Sequence, residues 1–308
     1  MTPLLRMAAI DFLNPAPLMW NFEHAPEAEE LAERYAVEKM TPAACAAALA
    51  QGEADLGLIP VGAYATLPGL LVVPGCAIAS RGAIRSLLLV IRGDSEALTG
   101  QATGQEADLE GPSARELARI RTVALDTSSR TSALYTQVLF RRFWGHAPMF
   151  VSRAPQLDAM LAGADAALLI GDPALHALRD RQARMERTGE HLRYLDLGHL
   201  WQVATGTRWV SAFWAVRDAG LRGMRAGERA QIQIDLERSR DAGLAHVPEL
   251  VEEWAPRLGL DRAIVGTYLR HNIHYHLDAE AIAGVERFLH EAHALRLIPA
   301  PPKLAFLG

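Results

Sequence analysis

Residues 123–140 read VALDTSSRTSALYTQVLF. Val123 to Leu125 is a short apolar run with the length and composition of a buried strand. Asp126 to Ser132 is a polar turn, and the following segment spaces Leu134, Val138 and Leu139 as a helix does. A strand that runs through a Ser/Thr-rich turn into a helix start gathers open backbone N–H groups, hydroxyl donors and the positive end of the helix dipole. That combination suits an anion, especially a carboxylate or a phosphate. Ser and Thr also favour helix starts as plain caps, so the stretch by itself leaves both roles open.

The same design recurs nearer the start of the chain. MAAIDFLNPAPL at residues 7–18 echoes TVALDTSSRTSA at 122–133: an apolar strand, an Asp, then a polar turn. ALAQGEADLGLIPV at 48–61 echoes MLAGADAALLIGDP at 160–173: a helix end, Gly, Asp, an apolar strand and a loop. Two pairs in the same order at similar spacing predict two lobes of one α/β design. Alternating strands and helices imply a mostly parallel sheet in each lobe, flanked by helices. The expected division places residues 1–90 and 214–308 in lobe one and 91–213 in lobe two. Ser86 to Ile91 and Ser211 to Val216 are then the strands that cross between lobes and form a hinge. In open α/β sheets the ligand sits beyond the carboxyl ends of the strands. This expectation gathers Asp11 to Asn14, Pro60 with Val61, Asp126 to Ser132, and Gly171 with Asp172 around one cleft.

Further strands are expected at Met7–Ile10, Asp55–Val61, Leu70–Val73, Met149–Ser152, Ala166–Ile170 and Trp209–Val216. Helices are expected at Glu27–Tyr35, from the Thr41 cap and Pro42 to Gly52, and at Gln156–Leu161 and Pro173–Arg181. From Gly227 onward the expected elements are helices, at Gly227–Ala242, Val247–Leu258, Asp261–Asn272 and Ala279–Ala294, followed by a Pro-rich tail from Pro299 that ends the fold. The segment from Gly93 to Gly111 is polar, rich in Gly and without apolar period, which predicts a mobile surface loop.

Composition narrows the function classes. The chain has 308 residues, 50% of them hydrophobic and 22% charged, as in a soluble globular protein of about two domains. A net charge of -5 and the lack of a Lys/Arg run argue against nucleic acid as a partner. No stretch approaches the roughly 20 apolar residues of a membrane span, and the N-terminus lacks a secretory pattern. The expected location is cytoplasmic. Cys45 and Cys76 both lie in apolar or Ala-rich surroundings and are read as small core residues.

Candidates for chemistry are few. There is no phosphate-loop or dinucleotide fingerprint and no supported Ser-His-Asp arrangement. His271, His274 and His276 in HNIHYH do not share one helix face and have no accompanying carboxylate motif, so no metal or other cofactor is expected. Thr127, Ser128, Ser129, Arg130, Thr131 and Ser132 form the best anion site, with Arg130 able to grip a carboxylate bidentately. Asn14 occupies the equivalent turn of the first lobe, where it can donate and accept, or simply satisfy its own turn. No side chain stands out as a strong general base.

Several segments carry a family resemblance: FLNPAPL, GEADLGLIPVGAY, VVPGCAIASRGAIRSLLL, VALDTSSRTSA, LLIGDPAL, YLDLGHLW, SAFWAVR and YLRHNIHYHLDAEAIAGVERFL. Together they span nearly the whole chain, which resembles the MqnA family within the MqnA/MqnD group. That resemblance implies a periplasmic-binding-protein type II fold. It also implies a cofactor-free lyase of the futalosine route to menaquinone that dehydrates chorismate to 3-[(1-carboxyvinyl)oxy]benzoate. The partner is then a small dicarboxylate, with no nucleic acid or membrane involved. Asn14 and Ser86 match polar residues that orient the reacting part of the substrate. Thr127 to Ser132, Pro60, Val61, Gly171 and Asp172 would bind it. One departure concerns charge: Asp11-Phe12-Leu13-Asn14 stands where Ser-Tyr-Leu-Asn is usual, which puts a carboxylate near a dianionic substrate. The alternatives are a small-carboxylate binding protein of the same fold and the sister 1,4-dihydroxy-6-naphthoate synthase.

Overall fold

The structure is a computed structural model that describes residues 4–93, 109–127, 130–300 and 303–308. The predicted loop from Gly93 to Gly111 falls mostly outside the described residues, as do Ser128 and Ser129. Among the described residues there are eleven strands: β1 (Leu5–Ile10), β2 (Tyr35–Met40), β3 (Leu56–Pro60), β4 (Leu70–Ser80), β5 (Leu87–Arg92), β6 (Thr122–Asp126), β7 (Met149–Arg153), β8 (Ala166–Ile170), β9 (Leu192–Asp196), β10 (Trp209–Arg217) and β11 (His274–Leu277). They form two sheets in two compact units. One unit holds the chain up to Ala79 together with Val210 onward, and the other holds Ser80–Trp209.

The first unit is built on a six-stranded sheet in the order β11-β4-β10-β3-β1-β2. There β1 runs parallel to both β2 and β3, and β10 enters antiparallel beside β3. The second unit carries a five-stranded sheet in the order β7-β6-β8-β5-β9. Here β6 runs parallel to β7 and β8, and β5 enters antiparallel beside β8. The internal echo in the sequence is therefore a repeat of topology: a parallel trio with the first strand in the middle, then one reversed strand. The sheets are mixed, not mostly parallel as expected, because the strands that follow each passage between units run against the trio.

The crossing strands also differ from expectation. Trp209–Arg217 does span the division between the units, but Ser86–Ile91 does not. That run is β5, which pairs with β8 on one side and β9 on the other, wholly within the second sheet. The other strand reaching the division is β4, through its last residue, Ser80.

Burial explains which runs were plain and which were hidden. The central strands β3 (LGLIP) and β8 (AALLI) are buried at every residue, so they read as continuous apolar runs. By contrast β2 (YAVEKM) is an edge strand with only Tyr35 buried, and its Glu38 and Lys39 conceal it. The expected helix over Glu27–Tyr35 accordingly stops at Ala32. The Pro42–Gln51 helix has the predicted ends: the Thr41 hydroxyl accepts from Ala44 N at 3.3 Å, and Gly52 takes the left-handed conformation at φ 77°.

In the second unit Leu88, Val90, Ala124, Ala167, Leu169 and Tyr194 form one buried apolar cluster with Met160 and Leu161. Each large apolar side chain so buried contributes about 2 kcal/mol. Between the last two expected helices the chain adds an edge strand, His274–Leu277, paired with β4. The tail does not simply end the fold: Val72 N donates to Ala305 O at 2.7 Å and Leu307 N to Val72 O at 2.9 Å. Both cysteines are free and buried, and burial pushes each thiol up to about 12. Among the described residues no helix is long and apolar enough to cross a membrane.

Candidate functional site

In the second unit, the pairing places three predicted segments at one edge of the sheet. The carboxyl ends of β6 and β8 lie beside the start of β5, since Leu125 pairs with Leu168 and Leu87 with Ile170. From β6 the chain gives buried Asp126 and exposed Thr127, whose N–H donates to Arg153 O at 3.2 Å. The Arg130–Val138 helix follows, with Arg130 exposed and Thr131 and Ser132 buried. Ser128 and Ser129, predicted for the same turn, lie outside the described residues. The buried Thr136 hydroxyl donates to Ser132 O at 2.7 Å. Tyr135 stacks on Trp209 at 3.6 Å between ring centroids and meets Trp201 edge-on at 4.7 Å, fixing this helix by its apolar side.

At the end of β8, Gly171 adopts φ 59°, a conformation open to glycine without strain, and its N–H donates to Ser86 O at 2.8 Å. Ser86 and Gly171, 85 positions apart in the chain, are thus joined directly, and Asp172 follows in the first turn of the Gly171–Arg179 helix. Ser86 itself is buried, 4% exposed.

The first unit repeats the arrangement. The ends of β1 and β3 are neighbours, and Pro60 pairs with Ala212 near the start of β10. Pro60 and Val61 are buried, so their contribution there is shape and backbone. Asn14 is half-buried, and its side-chain oxygen Oδ1 is shielded from solvent with no hydrogen-bond partner among the described residues. The turn is closed by backbone instead: Ala16 N donates to Leu13 O at 3.1 Å and Leu18 N to Pro15 O at 2.8 Å. Asn14 therefore does not act as the satisfier of its own turn. Below it, the Ala226–Ala245 helix presses on the turn through Gly243, where a Cβ would overlap the Pro17 carbonyl. Ser239 completes the anchor, donating to Leu18 O at 2.8 Å and accepting from Asn21 N at 3.0 Å.

Three features of these sites escaped sequence reasoning. The Asp11 carboxylate is paired with Arg257 Nη2 at 3.1 Å, and the Arg257 guanidinium lies 4.2 Å from the centroid of the Trp254 ring. The charge that departs from the family pattern thus has a counter-ion 246 positions away, which no local pattern shows. Asp196, at the end of β9, is fully buried and accepts from Ile84 N at 3.1 Å, Arg85 N at 2.8 Å and His199 N at 3.1 Å. Burial drives its carboxyl above the ordinary range, opposed by those three N–H groups and the Arg85 charge. Its signal was present in YLDLGHLW, an Asp between an apolar run and a helix start. Finally, Arg85 holds φ 63°, rare for a residue with a side chain.

The Ser80 hydroxyl donates to Gly82 O at 3.1 Å and that of Thr205 to Trp201 O at 2.8 Å, while Arg81 is exposed. HNIHYH is split by structure: His271 ends a helix, and His274, on β11, lies 2.9 Å from the Asp278 carboxylate.

Comparison with solved structures gives the same fold. A protein of Archaeoglobus fulgidus matches with a TM-score of 0.63 at 15% identity, covering 96% of this chain and 98% of that one. The periplasmic aliphatic sulphonate binding protein of Escherichia coli matches with a TM-score of 0.61 at 15% identity, covering 98% and 91%. A Candida albicans protein described as having the generic periplasmic binding protein fold matches with a TM-score of 0.63 at 11% identity, covering 99% and 98%. At such identities these likenesses carry the fold alone. The two-lobed periplasmic-binding-protein-like architecture is shared with proteins of several kinds, whereas residues 5–294, which hold every candidate site residue named above, match the family described as menaquinone biosynthesis, and to that family the chain belongs.

Proposed function

We propose that this protein is the chorismate dehydratase of menaquinone biosynthesis, a lyase that converts chorismate to 3-[(1-carboxyvinyl)oxy]benzoate and water. The family supplies the pathway, and the observation that carries the step is Asn14. A shielded amide oxygen with no partner among the described residues is costly in a folded protein unless something else satisfies it. The site side chains Asn14 and Ser86 are polar and uncharged, suited to orienting a substrate more than to taking its proton.

In the proposed reaction a ring C–H bond and the ring C–O bond to the hydroxyl break, and the electron pair left by the proton forms the last double bond of the aromatic ring. The hydroxyl leaves as water by taking that proton from the base that removed it, which regenerates the base. Aromaticity makes the product favourable, so the barrier lies in proton removal. The substrate's own enolpyruvyl carboxylate takes that proton once Asn14 and Ser86 hold the side chain over the ring, a gain of geometry and not of basicity. Thr127 to Ser132, with Arg130, hold a substrate carboxylate at the helix start, and Pro60, Val61, Gly171 and Asp172 shape its surroundings. No cofactor takes part in this scheme, and the protein acts in the cytoplasm.

A second possibility, capture of a small carboxylate without chemistry, draws on the binding proteins that share the fold. Incubation of the purified protein with chorismate, following loss of substrate and appearance of the aromatic ether, separates the two. Turnover supports the dehydratase. Tight binding of chorismate without conversion supports the binding protein, and turnover of the naphthoate precursor alone points to the sister synthase.

A further inference from the structure

Asp196 is a buried carboxylate that the proposed chemistry leaves without a task. As the cap of the Leu197–Thr205 helix it needs only one hydrogen bond, the one from His199 N. Its other two donors, Ile84 N and Arg85 N, come from more than a hundred positions earlier, in the segment that leads into Ser86. Three backbone N–H groups therefore converge on one carboxylate, with Oδ1 taking Ile84 and His199 and Oδ2 taking Arg85.

The residue gripped most closely is also the strained one. Arg85 sits in the left-handed region at φ 63°, where a side chain persists only when its surroundings hold it. That conformation turns the chain just before Ser86, whose carbonyl then meets Gly171 N at 2.8 Å. The same segment is packed against the helix start: a Cβ at Gly198 would lie 3.1 Å from both Gly82 O and Ile84 Cβ and 3.2 Å from the Ser80 hydroxyl. Strain of this kind gathers at functional sites, and here it adjoins Ser86.

We infer that Asp196 is a positioning residue that acts through Ser86, fixing the Ile84–Arg85 backbone so that the Ser86 side chain is presented to the substrate. This rests on the dehydratase function proposed above. The test is a double-mutant cycle on chorismate turnover with the full chain: wild type, Asp196→Asn, Ser86→Ala and the double variant. Asn can still cap the helix, but its amide nitrogen cannot accept from Arg85 N. Asp196→Asn is expected to lower kcat by about 10- to 100-fold with KM changed less than about 3-fold. In the double variant the losses do not multiply, and turnover stays within about 2-fold of Ser86→Ala alone. Gly198→Ala, which displaces the same segment without touching the carboxylate, is expected to repeat that pattern and decides the matter if Asp196→Asn does not fold. Wild-type kcat in the folded variant, or losses that multiply with Ser86→Ala, overturn the positioning role alone. A wild type without turnover overturns the dehydratase, and the role of Asp196 with it.

Discussion

Asn14 and Ser86 differ in what holds them, yet the same measurement tests both. Asn14→Ala and Ser86→Ala are each expected to lower kcat on chorismate by about 100-fold, the usual loss when one preorganised polar contact is removed from a reacting centre. Full turnover in both variants would remove them from the mechanism. Asp55 makes a different prediction, about stability. Burial would raise its carboxyl, but Arg6 opposes this through Nε at 2.9 Å, Nη2 at 2.7 Å and its backbone N–H at 3.2 Å, with Arg217 adding charge. The balance leaves the Asp55 carboxyl below its ordinary range. A folded value below the unfolded one, about 3.9, means stabilisation that is complete above it and fades as pH falls through the folded value. Asp55→Asn should therefore cost about 2 kcal/mol at pH 7, and the gap from wild type should narrow below about pH 4. Urea unfolding at pH 7 and at pH 3 measures both ends. At this scale Asn14 and Thr127 were legible as candidates, because each lies in a turn that follows an apolar strand. Arg257 and Asp196 were not, since their partners are distant in the chain and become neighbours only through strand order.

Among the elements, the Ala226–Ala245 helix does more for Asn14 than the turn does for itself. Gly243 lets it approach Pro17 so closely that one methyl group has no room, and Ser239 ties Leu18 to the same face. Gly243→Ala should destabilise the protein by about 2 kcal/mol, the ordinary cost of overpacking. Turnover should fall with it, because the Asn14 turn must shift. Unfolding in guanidinium and a chorismate assay on the same preparation read the two effects together. Legibility among elements followed burial. Ala166–Ile170, Val247–Leu258 and Ala279–Ala294 fall where their periodicity puts them. The edge strands Tyr35–Met40 and His274–Leu277 did not show, because one is mostly exposed and the other alternates His with Tyr and Leu inside a helix-rich region. The run Leu87–Arg92 was legible as a strand, but not as a member of the second sheet, because nothing local records its partners.

For the molecule as a whole, binding and stability are linked. On the proposed function, Ser86→Ala should bind chorismate but turn it over slowly, and ligand at 100 times its Kd should raise the free energy of unfolding by about 2.7 kcal/mol. Thermal unfolding with and without chorismate checks this, and an unchanged transition at saturating concentration would count against chorismate as ligand. The repeat of strand order in both sheets was foreshadowed by the echoed segments. The mixed direction was not, because it depends on where the chain passes between units. That passage has a consequence for synthesis on the ribosome. The second sheet is complete once Leu192–Asp196 has emerged, and all its strands lie within Ser80–Trp209. The first sheet must wait, because Trp209–Arg217 stands between β3 and β4. Its opening three strands are therefore made first and joined last, with an apolar edge held open while the later unit folds. The nascent chain is most exposed to misassociation in that interval, and it closes only when the residues after Trp209 arrive.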